Sequence, residues 1–265
     1  PMPNWVFNSL VVSGEQSELD KMVEQLNQPF VKHFPEHKFE NNEIVWVADE
    51  QRYDNPVFAF WNIVKPTDLE AYYETDVHKG NKNIKKDDDG KFDGESFMAE
   101  FVRSMSEDQD WYHWNCRNWG TKWDVAVPNG QQYSDTQMTI TDEGDVMYHF
   151  QTAWSPVGEV LLKLSEMYPT LNFDYEYEEE QGWGGTCTFL GGEDIACEQW
   201  DIPESHQDYK DRDKECPCEY DDIEYAYEDC PVDTTKYKWN AEEEEWQELS
   251  DLSDTLVSTN NLQGA

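Results

Sequence analysis

Basic residues are what this chain has least of. Lysine and arginine together number 19 against 58 aspartates and glutamates, a formal net charge of −39. Lys and Arg supply the affinity for phosphate backbones and for anionic bilayers, so their scarcity excludes direct binding to either. Apolar runs of 18 residues are also missing, and no membrane-spanning helix is expected. The opening PMPNWVFNSLVVSG lacks the basic start and long apolar core of a secretory leader, which predicts a cytoplasmic protein of a host cell. Phosphate-loop spacing is absent, GWGG and LGGED reading as turns, and the six histidines form no H-E-x-x-H. No Ser–His–Asp or Cys–His pattern suggests a nucleophile. The reading is of a non-enzyme, with no cofactor and no metal expected.

Cysteine is modest. Cys116, Cys187, Cys197, Cys216, Cys218 and Cys230 are read as six reduced thiols, in keeping with a cytoplasmic setting. The segment ECPCE followed by Cys230 invites a zinc reading. Zinc sites usually pair cysteines two to four residues apart, however, and here the spacing is Cys-x-Cys with one more nearby, so free thiols in an irregular acidic segment are expected. DDDGKFDGE resembles a calcium loop, with Asp89 at its first position and Asp93 at its fifth. Lys91 then falls where an oxygen ligand is needed, and a solvated loop is expected.

Aromatics are abundant: 12 Trp, 14 Tyr and 12 Phe in 265 residues. Disordered acidic chains are poor in such residues, so a folded core is expected despite an apolar fraction of 37%. The length suits one large domain or two small ones.

Periodicity places the elements. WVFNSLVVS (5–13) alternates as a strand. Leu19, Met22, Val23 and Leu26 fall on one face of a helix, as do Val157, Val160, Leu161, Leu164 and Met167 of a second, with Ser155 as its expected cap. IVWVA (44–48), VFAFWNIV (57–64), 119–127, 137–140 and VMYHFQTAW (146–154) read as strands. Thr67 is expected to cap a helix ending near Tyr72, and 97–105 reads as another. LNFDYEYEEE (171–180) alternates apolar with acidic, a strand with one solvated face. Residues 186–190 and 195–202 read as a hairpin; 236–240 and 242–249 pair or form a short helix. The order predicts an α+β fold, a ferredoxin-like antiparallel sheet with helices packed on one face. Residues 1–203 would form it, with an insertion over about 65–118, and 204–265 an acidic, partly ordered extension.

NWGTKWDV (118–125) is the densest motif. In a strand, Lys122 and Asp124 share one face and Trp119, Thr121 and Trp123 the other, with Trp154 beside them. The simplest reading is packing, with tryptophans wedged between sheet and helix and Gly120 permitting close approach. The alternative is a ligand platform of Trp119, Lys122, Trp123, Trp154 and Trp183 for a small nucleotide-like molecule. Together with MPNW at the start, TAWSP at 152–156 and the MYP that follows, the motif resembles the ferredoxin-like Api-type family of phages, plasmids and mobile islands. The resemblance covers Met2–Gly14 and about 114–190. It implies a fold and a mobile-element origin more than an activity.

The acidic runs carry the functional expectation. Residues 170–265 hold 28 acids against 5 bases. The acids interleave with Tyr and Trp, which predicts an ordered surface. Duplex DNA carries one charge per roughly 1.7 Å of axis, so the net charge matches that of about 20 base pairs. The chain is read as an inhibitor that binds a basic nucleic-acid-binding host protein or defence nuclease by DNA mimicry or steric block. Its contacts would be Asp174, Glu176, Glu178, Glu179, Glu180, Glu219, Asp221, Asp222, Glu224, Glu228 and Asp229.

Overall fold

The computed structural model describes residues 4–40, 43–73, 85–86, 89–91, 93–131, 135–220 and 223–249, and the side chains of all but 34–40, 43–49, 220 and 224 among them. The calcium-like segment lies partly outside these residues. Of it, Asp93 caps a helix by accepting the Ser96 N–H. Among the described residues no helix is long and apolar enough to cross a membrane. The chain divides into two compact units, Pro1–Trp200 and Asp201–Ala265.

The first unit is ferredoxin-like and α+β. Its strands are β1 (Trp5–Ser13), the hairpin β2 (Phe30–Glu40) and β3 (Glu43–Tyr53), then β4 (Gln137–Ile140), β5 (Val146–Ala153), β6 (Asn172–Glu179), β7 (Gly184–Leu190) and β8 (Glu193–Trp200). Its helices are α1 (Gln16–Leu26), α2 (Leu69–Tyr72), α3 (Gly94–Glu107), α4 (Trp111–Trp119) and α5 (Gly158–Met167). Six strands form one antiparallel sheet in the order β4-β5-β1-β6-β7-β8, and β2 and β3 form a separate two-stranded sheet. The centre of the sheet, β4-β5-β1-β6, has the strand order of a strand–helix–strand unit repeated, with α1 and α5 as the two connecting helices.

Alternation decides the faces. In β1, Val6, Asn8, Leu10 and Val12 point inward, beside Tyr148 and Phe150 of β5 and Phe173, Tyr175 and Tyr177 of β6. Leu19, Met22 and Leu26 of α1 and Val160, Leu161 and Leu164 of α5 join them in one core. Asn8 is the polar member. Its amide donates to Thr152 Oγ1 and to the Val6 and Phe150 carbonyls, and its Oδ1 accepts from Tyr175 Oη. Tyr175 Oη accepts the Val157 N–H in turn, which fixes the entry of α5 to the sheet. That backbone bond, and not Ser155, marks the start of α5, whose capping position is Val157.

Three other expectations are corrected. Residues 57–64 form no strand; Phe60–Asn62 is a single 3-10 turn. Residues 119–127 form no strand either, because the chain leaves α4 at Gly120 and runs on irregularly. The cap of α2 is Asp68, which accepts the Ala71 N–H, and not Thr67.

In the second unit, α6 (His206–Asp211) is followed by 3-10 turns at Pro217–Tyr220 and Ile223–Tyr225 and by the hairpin β9 (Tyr237–Asn240) and β10 (Glu245–Glu248). Trp239 and Trp246 meet edge to face across that hairpin, 5.6 Å between centroids. Trp246 Nε1 donates to the Tyr227 carbonyl.

Candidate functional site

Three places concentrate chemistry: an aromatic cavity around Asp124, the outer face of the large sheet, and a thiol cluster in the second unit.

The cavity is built by α4 and the turn after it. Asp110 caps α4 by accepting the Tyr112 and His113 N–H groups, and Gly120 ends it at φ +83°, a left-handed conformation suited to glycine. A Cβ on Gly120 would stand 3.1 Å from the Pro156 carbonyl oxygen, so close approach is indeed what this glycine permits. Each neighbour then has its own place. Trp119 is fully buried, its indole N–H donating to the Val64 carbonyl. Thr121 is buried and donates to the Ala153 carbonyl of β5. Lys122 stacks over Trp123 and Trp154, 4.4 and 4.9 Å from their centroids.

Asp124 turns inward. Its Oδ2 accepts from Lys32 Nζ at 2.8 Å, and its two oxygens also accept the N–H groups of Phe60, Trp61, Val125 and Ala126. The Lys32 ammonium lies 4.8 Å from the ring centroids of both Trp61 and Trp119, within reach of Phe30 and Tyr53 as well. Burial holds the lysine below its ordinary range, with Asp124 opposing that shift. Lys122 and Asp124 therefore do not pair with each other. Beside this ion pair opens a cavity of about 550 Å³. Trp5, Trp111, Trp123 and Tyr53 line it, together with Gln51, Asn115 and Gln151.

The expected tryptophan platform is thus divided. Trp123 faces the cavity, Trp123 and Trp154 hold Lys122, Trp119 belongs to the core, and Trp183 stands elsewhere, edge-on to Tyr177. Trp5 and Trp111 line the cavity without having been singled out in the sequence.

The outer sheet face carries the acidic alternation of β6. Asp174 and Glu176 are exposed and Glu178 is half-buried, with Glu198 of β8 in line with Glu176 through Thr186. Alternate residues of a strand recur about every 7 Å, so these carboxylates form a regular row. Glu179 is the correction. Its parity turns it to the buried side, where Oε2 accepts the Gln181 N–H, and it presents nothing outward. Glu180 is exposed at the following turn. In the second unit Glu219 and Glu228 are exposed, while Asp229 accepts the N–H groups of His206 and Gln207. Asp221, Asp222 and the Glu224 side chain lie outside the described residues.

The cysteines depart from expectation. Cys187 and Cys197 sit directly opposite on β7 and β8 and form a disulfide. Two residues brought to adjacent positions by strand register have no signature in sequence spacing, which is why six free thiols were expected. Cys116 is free in the first unit. Cys216, Cys218 and Cys230 are free too, and they converge with His206; one donor atom of each lies within 4.8 Å of every other. His206 was missed. Cys-x-Cys was its only nearby signal, ten residues downstream.

Comparison with known proteins bears on the first unit and the start of the second. Residues 131–218 match a family model described as the ferredoxin-like domain in Api92-like protein. The crystal structure of a protein Api92 from Yersinia pseudotuberculosis aligns over 76% of this chain and 99% of that one, at 10% identity and a TM-score of 0.37. No curated protein matches. Over residues 131–218 the chain is therefore similar to the ferredoxin-like domain of Api92-like proteins, the Api-type resemblance that its tryptophan and proline motifs imply.

Proposed function

We propose that this protein acts by binding, as an acidic inhibitor of a basic nucleic-acid-binding protein. The observation that carries the reading is the ordered carboxylate row Asp174–Glu176–Glu178 on the open face of the sheet, in a chain of net charge −39. A rigid row of like charges costs the fold self-repulsion and gains long-range attraction for a surface rich in Lys and Arg. The mobile-element origin implied by the resemblance makes a host defence nuclease, of a restriction or CRISPR system, the natural target. Mimicry of DNA or steric block of the nucleic-acid channel is the mechanism, and the host cytoplasm the setting.

The test is capture from host lysate at low salt, with mass spectrometry of the bound proteins. A basic nucleic-acid-binding protein released by salt and displaced by duplex DNA is the expected result. The triple variant Asp174→Lys, Glu176→Lys, Glu178→Lys should lose it. Glu179 is left out because its reversal would disturb the fold. Equal capture by the variant overturns the proposal.

The cavity favours a second reading, a site for a small nucleotide-like ligand. Its volume and its mixture of aromatic walls with a few amide groups suit a planar polar molecule. Quenching of tryptophan fluorescence across a nucleotide panel tests it, and a flat response discards it.

A further inference from the structure

Among its described residues the second unit has a small apolar core. Its buried centre is Cys216, Ala226 and Cys230, against which Tyr209, Cys218, Tyr227, Val232 and Trp246 pack. Among the described residues, the helix His206–Asp211 has six residues and the two strands four each. Units with so small a core commonly carry disulfides or a metal as staples, and its three cysteines form no disulfide. Cys216 Sγ stands 3.7 Å from Cys230 Sγ, far beyond the roughly 2.05 Å of an S–S bond.

All four donor atoms lie within 4.8 Å of one another, and three of the six spacings can be set against a tetrahedral ion. With zinc–sulfur bonds of about 2.3 Å and a zinc–nitrogen bond of about 2.0 Å, tetrahedron edges come to about 3.75 Å between sulfurs and about 3.5 Å from sulfur to nitrogen. The Cys216–Cys230 separation of 3.7 Å matches the first. His206 Nδ1 lies 3.3 Å from Cys218 Sγ and 3.7 Å from Cys230 Sγ, which brackets the second. We propose that His206, Cys216, Cys218 and Cys230 bind one Zn²⁺ in a closed Cys3His site that holds the second unit together.

The surroundings support it. His206 is buried, and its Nδ1 faces the Cys218 and Cys230 sulfurs. Cys230 Sγ accepts the Tyr227 N–H at 3.1 Å, the kind of outer contact that steadies a metal thiolate. Asp229, one residue before Cys230, accepts the N–H groups of His206 and Gln207 at the start of the helix and so ties two ligand-bearing segments together. Thiolates with one imidazole select zinc over calcium or magnesium. Four protein donors leave no open position, so the site is structural. Binding replaces three S–H protons with one divalent ion, and the protons go to solvent. This inference does not depend on what the sheet face or the cavity binds.

The test uses the full chain, purified under reducing conditions without chelator. Elemental analysis should find about one zinc per chain, and X-ray absorption about three sulfurs and one nitrogen around it. Co²⁺ exchanged into the protein should give the strong visible bands of a tetrahedral thiolate site. Cys216→Ser and Cys218→Ser should each drop zinc at least tenfold, while Cys116→Ser keeps it. Should those variants fold poorly, the absorption spectrum of the wild-type chain still decides. Either of two results overturns the proposal: less than a tenth of an equivalent of zinc with no cobalt spectrum, or a metal bound only by oxygen.

Discussion

Lys32 Nζ stands 2.8 Å from Asp124 Oδ2, and each side chain is only 6% exposed. A buried pair of this kind adds little net stability, because desolvation offsets attraction, but losing one partner strands the other. Asp124→Asn should lower the unfolding free energy by about 3–5 kcal/mol, and Lys32→Met by less, since the aromatic rings around it accept an apolar chain. Urea unfolding followed by tryptophan fluorescence measures both. An Asp124→Asn variant as stable as the parent would mean that the lysine finds water or another anion.

Gly120 should resist substitution. Its φ of +83° and the nearby Pro156 carbonyl both oppose a side chain. Gly120→Ala is expected to cost about 1–2 kcal/mol from backbone handedness alone. A thermal midpoint unchanged from the parent would contradict this.

Alkaline pH should unfold the first unit. Burial pushes the hydroxyls of Tyr53, Tyr72, Tyr148 and Tyr175 well above the ordinary 10.0. The folded state keeps protons that the unfolded chain releases above that value. Stability from these groups is therefore complete below pH 10.0 and falls as pH rises beyond it. An ultraviolet titration should show these tyrosinates appearing together with loss of near-ultraviolet circular dichroism. Ionisation of all tyrosines near pH 10 with the fold intact would disprove it.

Thiol chemistry should count the cysteines. With Cys187 and Cys197 joined, denatured protein treated with chelator but no reductant should react at four thiols, Cys116, Cys216, Cys218 and Cys230. A count of six would place Cys187 and Cys197 in the reduced state.

Much of the sheet was legible because its strands alternate strictly. Val6, Leu10 and Val12 of β1 and Phe173, Tyr175 and Tyr177 of β6 announce one buried face, and α1 and α5 keep their helical stripes except at Met167, which is exposed at the end of α5. The run 57–64 misled because it is apolar and short, as a strand is. In the fold Phe58 and Phe60 enter the core while Asp124, distant in sequence, takes the N–H groups of Phe60 and Trp61 in place of a neighbouring strand. Helix α4 was hidden by its aromatic composition, WYHWNCRNW, which lacks a clear apolar stripe. Asp110 and Gly120, a capping acid and a stop glycine, were the available signals. The Asp124–Lys32 pair and the His206–cysteine cluster were illegible for a common reason: each joins residues from separate segments, and spacing along the chain encodes neither.

The place of β1 in the sheet also governs how the protein can be made. Both its neighbours come much later in the chain; Asn8 bonds the Phe150 carbonyl 142 residues on and Tyr175 167 residues on. At ribosomal rates of roughly 5–20 residues per second, β1 waits on the order of ten seconds before its first partner has been synthesised. Such distant pairing belongs to slow-folding topologies. Throughout that wait Val6, Leu10 and Val12 have no strand partner, and the excess of acidic residues adds like-charge repulsion between one growing copy and another.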